Sequence, residues 1–188
     1  AMLELCPADD IAVDDAANEC ESFICGKLAP AISSAENPAK LTAQALWRRV
    51  PLVLGGEHLA PVTTRFKNQL AENGKTLAIA ENLPEAAHNI VGGLQTADDD
   101  ASRIGVVLLD SAMYGAATRR VTDEMQALFE QHGVQVQNTP APGTSKLAQM
   151  LTGTALGDYV SCYLALLHGI DPTPIPEIEH MRAVSAGQ

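Results

Sequence analysis

The sequence predicts an α/β protein, a three-layer α/β/α sandwich built on a parallel sheet. Three observations carry that prediction. Short apolar runs alternate with helical patterns of about 10 to 15 residues, as right-handed βαβ units require. One run, "RIGVVLLD" at 103–110, is unbroken, as in a strand buried on both faces. Glycines at 74, 133 and 169 stand where the helical patterns stop.

Residues 8–46 are Ala-rich and acidic, broken at Pro30 and Pro38, and read as two short helices without a strand pattern. The second starts after Asn37, with Pro38 at its first position and Leu41, Ala45 and Leu46 on one face. "VPLVLGG" at 50–56 is the first strand, followed by a helix over 57–73 that Gly74 ends. "TLAIA" at 76–80 is the second strand, 103–110 the third, and "VQVQN" at 134–138 the fourth. A helix over 116–132 joins the last two, and after "TPAPGTS" a long helix runs over 146–168. A short helix closes the chain. "GLQTADDDASR", with Asp98, Asp99 and Asp100, reads as a solvated loop. The chain thus divides into a helical arm over 1–46, the α/β domain over 47–170, and a tail over 171–188.

Length and composition bound the function. At 188 residues one domain is expected, with a core large enough to stand alone. An apolar fraction of 46% with 19% charged residues excludes a disordered chain, and no apolar run suits a membrane span, so no membrane partner is expected. Net charge −11 without clustered Lys and Arg argues against nucleic acid, while a few local cations could still hold one small anion. Cys6, Cys20, Cys25 and Cys162 form no CxxC pair and no metal-type spacing with histidine, so no metal is expected and reduced thiols fit the cytoplasm. No basic stretch followed by an apolar core marks a secretory signal. Ala1 before Met2 reads as a cloning remnant, and the natural chain is expected to begin upstream.

Chemistry concentrates between residues 65 and 90. Arg65, Asn68, Glu72 and Lys75 are offset by three, four and three, which places them on one helix face, opposite Val62, Phe66 and Leu70. That face is either a solvated stripe of alternating charge or a general base at Glu72 tuned by Arg65 or Lys75. His88 follows the second strand in a loop, with Glu85 and Asn89 able to fix its tautomer, at the strand end where ligands bind in such sheets. It is a catalytic group or a loop anchor. "PGTSK" at 142–146 could cradle a phosphate at a helix N-terminus, or simply cap that helix through Thr144 or Ser145. "SAMYGAATRR" at 111–120 is similarly placed and equally nonspecific, and His58 and His168 read as helix-end residues.

Taken together, "RFKNQLAENGK", "LPEAAHNIVG", "DYVSCYLALLHGIDPTPI" and "EIEHMR" resemble the C-terminal half of bifunctional phosphoglucose/phosphomannose isomerases, whose fold is the sugar isomerase (SIS) fold. The resemblance covers roughly residues 38–186. It implies an SIS-like domain that interconverts glucose 6-phosphate or mannose 6-phosphate with fructose 6-phosphate through a cis-enediol, without cofactor. By motif the proton-transfer glutamate corresponds to Glu72, although Ala71 replaces the family's first asparagine. His88 corresponds to the ring-opening histidine, and the lysine near the family's C-terminus corresponds to Arg182, a poor proton donor.

On this footing Glu72, His88 and Arg182 are the candidate catalytic residues. Arg65, Lys75 and Asn89 are the candidate substrate-binding groups, Arg65 facing the developing enediolate. The family's N-terminal SIS half, which grips the sugar phosphate, is not in this sequence, so the chain alone is expected to hold an incomplete site and 8–46 to connect the halves. Glu72 ends a helix running antiparallel to the strands while His88 follows a strand's C-terminal end. One site using both then draws His88 from a second subunit, and a homodimer is expected. The alternatives are a phosphosugar-binding module of the same fold without turnover, and a purely structural dimerisation domain.

Overall fold

A computed structural model describes residues 13–94 and 101–187. Four parallel strands form one sheet in the order β2-β1-β3-β4: β1 Val50–Gly56, β2 Ile79–Leu83, β3 Ile104–Asp110 and β4 Gln135–Pro140. Val53 pairs with Val107 at the centre, Leu52 with Ile79 and Leu108 with Asn138. The expected three-layer sandwich is present.

The two middle strands alternate their side chains between two apolar layers. Val53, Val107 and Leu109 enter one layer, with Phe66 and Leu70 of α3 (Ala60–Glu72) and Leu156, Val160 and Leu164 of α6 (Lys146–His168). Leu52, Leu54, Val106 and Leu108 enter the other, with Ala86 of α4 (Ala86–Gly93) and Met125 and Phe129 of α5 (Ala116–Gln131). The N-terminal segment joins the first layer. Ala16 of α1 (Val13–Phe23) is buried, the following π-helical turn has its Leu28 fully covered, and α2 (Pro38–Leu46) buries Ala39, Ala43 and Leu46. Asn37 fixes this corner: its side chain caps α2 through the N–H groups of Ala39 and Lys40 and donates to the carbonyls of Leu28 and Ala29.

Several elements differ from expectation for readable reasons. β2 lies over 79–83 rather than 76–80, because register is set by pairing with β1 and not by the strand's own apolar run. Thr76 instead donates its N–H to the Leu70 carbonyl, and Leu77 is 88% exposed. β4 begins one residue later than expected and extends to Pro140. The helix after β1 is preceded by a 3-10 turn, Glu57–Leu59, so α3 begins at Ala60 with Pro61 in its first turn. The left-handed residue beyond α3 is Lys75, φ 51°, not Gly74. Gly74 is required for a different reason: a Cβ there would stand 2.7 Å from the Leu70 carbonyl oxygen. On α2, Leu41 is exposed, leaving Ala39, Thr42, Ala43, Ala45 and Leu46 as the buried face. His88 lies in the short helix α4 rather than a loop. Asp98, Asp99 and Asp100 fall outside the described residues.

α6 is the one helix among the described residues long and apolar enough to cross a membrane, but half of its apolar window is buried inside the protein. It is a core helix, packed on α1, α2 and α3. Gly157 permits close approach to α3: a Cβ there would stand 2.5 Å from the Gln69 side-chain oxygen and 3.0 Å from the Phe66 ring. Gly169, left-handed at φ 72°, caps its end.

Candidate functional site

The sheet has two rims, and chain-distant side chains converge at both. At the rim where strands begin, the end of α3 meets the tail to line an open cavity of about 550 Å³. Its walls include Glu72, Lys75, Leu77, Asp171, Ile175 and Ile178. Glu72 is the last residue of α3 and is exposed there. Lys75 Nζ donates to three backbone carbonyls: Glu72 at 2.6 Å, Pro172 at 3.1 Å and Pro174 at 2.5 Å. Asp171 accepts from the Thr173 N–H at 2.9 Å, and that bond holds its carboxyl below the usual range. Carboxylate, ammonium and apolar wall therefore share one concavity.

Of the other sequence-identified residues, Arg65 lies two turns back on α3 and pairs with Asp158 of α6 at 3.6 Å, both half-exposed. Gln69 also donates to Asp158, whose carboxyl is raised by burial, an effect Arg65 opposes. Arg65 and Arg182 are not among the cavity's lining residues; Arg182 stands exposed on α7 (Pro176–Ser185), one turn beyond the lining residue Ile178. His88 and Asn89 are exposed on α4, beyond the far end of β2. The bond joining His88 to Glu85 is a backbone one, His88 N–H to the Glu85 carbonyl at 2.9 Å. The structure thus brings Glu72 and Lys75 together, and leaves His88 and Asn89 at the opposite rim.

At that opposite rim, between the ends of β1 and β3, lies the strand-order reversal where open α/β sheets usually hold ligands. Here it is knit together by its own side chains. The buried Gln149 oxygen accepts from Ser111 Oγ at 2.5 Å and lies 2.8 Å from His58 Nε2, while the Gln149 amide donates to the Gly143 carbonyl. Acceptance by Gln149 puts the His58 proton on Nε2, and burial pushes the imidazole pKa below its ordinary value. Tyr114 accepts from the Gly56 N–H, donates to the Leu109 carbonyl, and is raised by burial to about 12. Arg119 donates to the Ser111 carbonyl.

Carboxylates of the chain itself stand at two of the helix N-termini on this rim, those of α5 and α6. Glu57 accepts from the Thr118 side chain and the Gly115 N–H at α5, which hold its pKa low. Glu19 accepts from the N–H and hydroxyl of Thr144 beside α6, whose cap is Ser145, its hydroxyl accepting from the Ala148 N–H. The capping reading of "PGTSK" is the one observed. Among the described residues no three His, Cys, Asp or Glu side chains converge as a metal set would.

Sequence reasoning missed the tail as a cavity wall and Lys75 as its tie. One signal was present: the alternating prolines of "DPTPIPE" mark a stiff, extended segment.

Residues 35–184 match the family model described as the bacterial phospho-glucose isomerase C-terminal SIS domain. The bifunctional phosphoglucose/phosphomannose isomerase of Caldicellulosiruptor bescii is 29% identical over 154 residues, 81% of this chain and 45% of that protein. That of Aquifex aeolicus is 30% identical over 151 residues, 80% of this chain and 47% of that protein. A glucose-6-phosphate isomerase like protein from Thermus thermophilus superposes with a TM-score of 0.69 at 27% identity, covering 86% of this chain and 52% of that one. The chain spans about half the length of the curated relatives it matches.

Proposed function

The chain belongs to the bacterial phospho-glucose isomerase C-terminal SIS domain family, and from that premise we propose that it is the C-terminal half of an aldose-ketose isomerase acting on phosphorylated hexoses, glucose 6-phosphate or mannose 6-phosphate to fructose 6-phosphate. The observation that carries this reading is Glu72 in the wall of the 550 Å³ cavity at the end of α3. Its carboxylate takes the proton from C2 of the open-chain aldose to give a cis-enediolate, which becomes the cis-enediol as O1 is protonated; the O2 proton is then lost as Glu72 returns its proton to C1, giving the ketose. No electrons leave the sugar and no cofactor is needed.

Arg65 lies two helical turns or about 10 Å from Glu72 and is paired with Asp158, so any help it gives the developing enediolate is indirect. His88 and Arg182 serve ring opening, and Asn89 beside His88 contacts the sugar. His88 stands at the other rim, a strand's length from Glu72, which favours its supply by another chain. A second copy supplies it, in a homodimer. The N-terminal SIS half supplies the phosphate grip, and carboxylates at the α5 and α6 N-termini are consistent with that division, since each occupies a position an anion would otherwise take. Residues 171–188 act as a distinct tail, and a phosphosugar substrate suits a cytoplasmic enzyme.

A second reading, a phosphosugar-binding module without turnover, is favoured by Arg182, whose guanidinium keeps charge and hydrogen bonds but is a poor proton donor. Coupled assay of the longest natural reading frame separates the two: binding of fructose 6-phosphate without isomerisation supports the module.

A further inference from the structure

We infer that Lys75 is a positioning residue that latches the C-terminal tail over Glu72, rather than a ligand of the substrate. An ammonium has three N–H donors, and here they meet three carbonyls, those of Glu72, Pro172 and Pro174. One acceptor belongs to the end of α3, whose partial negative charge suits a cation. The other two lie 97 and 99 residues away in sequence. Engaging a phosphate would require Lys75 to surrender the tail.

The tail needs such a tie. Pro172, Pro174 and Pro176 have no N–H, so this stretch can join no ladder, and α7 has no buried residue. A ten-residue helix is marginal by itself in water. Its placement therefore depends on the segment from Ile170 to Ile178, which lines the Glu72 cavity and which Lys75 grips on one side. Through that segment Lys75 also sets where Arg182 stands. The residue's left-handed backbone, φ 51°, is uncommon for a side chain with a Cβ and turns the ammonium back onto the helix end.

The part of this inference that concerns turnover rests on the reading of Glu72 as the base; the latch itself does not. Hydrogen exchange of the full chain, without ligand, compares wild type with Lys75→Met and Lys75→Arg. In Lys75→Met the amides of residues 173–185 are expected to exchange at least about tenfold faster, with α3 and the sheet unchanged. Lys75→Arg, which keeps charge and donors, is expected to fall between, and remains informative if the methionine variant does not fold. Unchanged tail exchange in both variants overturns the latch, as does lost fructose 6-phosphate affinity with an unaltered tail. Faster tail exchange in a protein whose wild type shows no isomerisation upholds the latch and removes the isomerase reading instead.

Discussion

Glu72 and His88 lie at opposite ends of β2: Glu72 closes the helix that leads into the strand, and His88 sits on the first turns of the helix that follows it. The five residues of that strand alone separate them by about 15 Å. On the proposed reading, proton transfer at C1 and C2 and opening of the C1–O5 bond occur on one hexose, and a second copy of the chain would then bring His88 to Glu72.

Subunit mixing tests this directly. Glu72→Gln and His88→Gln in the intact protein are each expected to lose about 10² to 10⁴-fold in turnover. Co-expressed, they are expected to form mixed dimers with one intact site each, returning about a quarter of wild-type activity if the dimer is isologous. Absence of recovery in demonstrated mixed dimers would place both groups in one chain's site, or His88 outside it.

Arg182→Lys is expected to raise turnover of the cyclic substrate by about tenfold or more, since an ammonium replaces a guanidinium, the poorer proton donor. Equal rates for the two proteins in a coupled assay would remove position 182 from ring opening.

Stability should fall in mild acid through His58. Its folded pKa lies below the unfolded value of about 6.5, so the unfolded chain binds the extra proton first. The contribution is fully present above about pH 6.5 and is lost as pH drops through the folded pKa. Thermal melts between about pH 7.5 and 5.5 should slope more steeply for wild type than for His58→Gln; parallel slopes would exclude His58.

Gly157→Ala should cost about 1–2 kcal/mol, read from the denaturant midpoint, because crowding against Gln69 and Phe66 exceeds the helix-propensity gain of about 1 kcal/mol. A stabilised variant would mean that α3 and α6 can separate freely.

The parts of the fold legible in sequence are those whose pattern has a single cause. β3 and β1 are covered on both faces, so an unbroken apolar run identifies them, and α6 ends at Gly169 because the chain needs a left-handed residue there. β2 was displaced by three residues because an edge strand takes its register from its neighbour: "TLAIA" is more apolar than "IAENL", yet the latter pairs with β1. α4 was hidden by its closing glycines. Helical offsets put Lys75 on the face of Glu72, but α3 ends at Glu72, and Lys75 reaches it from beyond the helix through its left-handed backbone. The tail that encloses them could not be read, because Lys75 meets Pro172 and Pro174 across nearly a hundred residues.

The most direct measurement is a coupled isomerase assay with fructose 6-phosphate on the longest natural reading frame, wild type beside Glu72→Gln. The expected result is turnover in wild type that falls by at least about a hundredfold in the variant, with substrate binding retained. Full turnover in Glu72→Gln would contradict the assignment of the base, and binding without turnover in wild type would make the protein a phosphosugar-binding module.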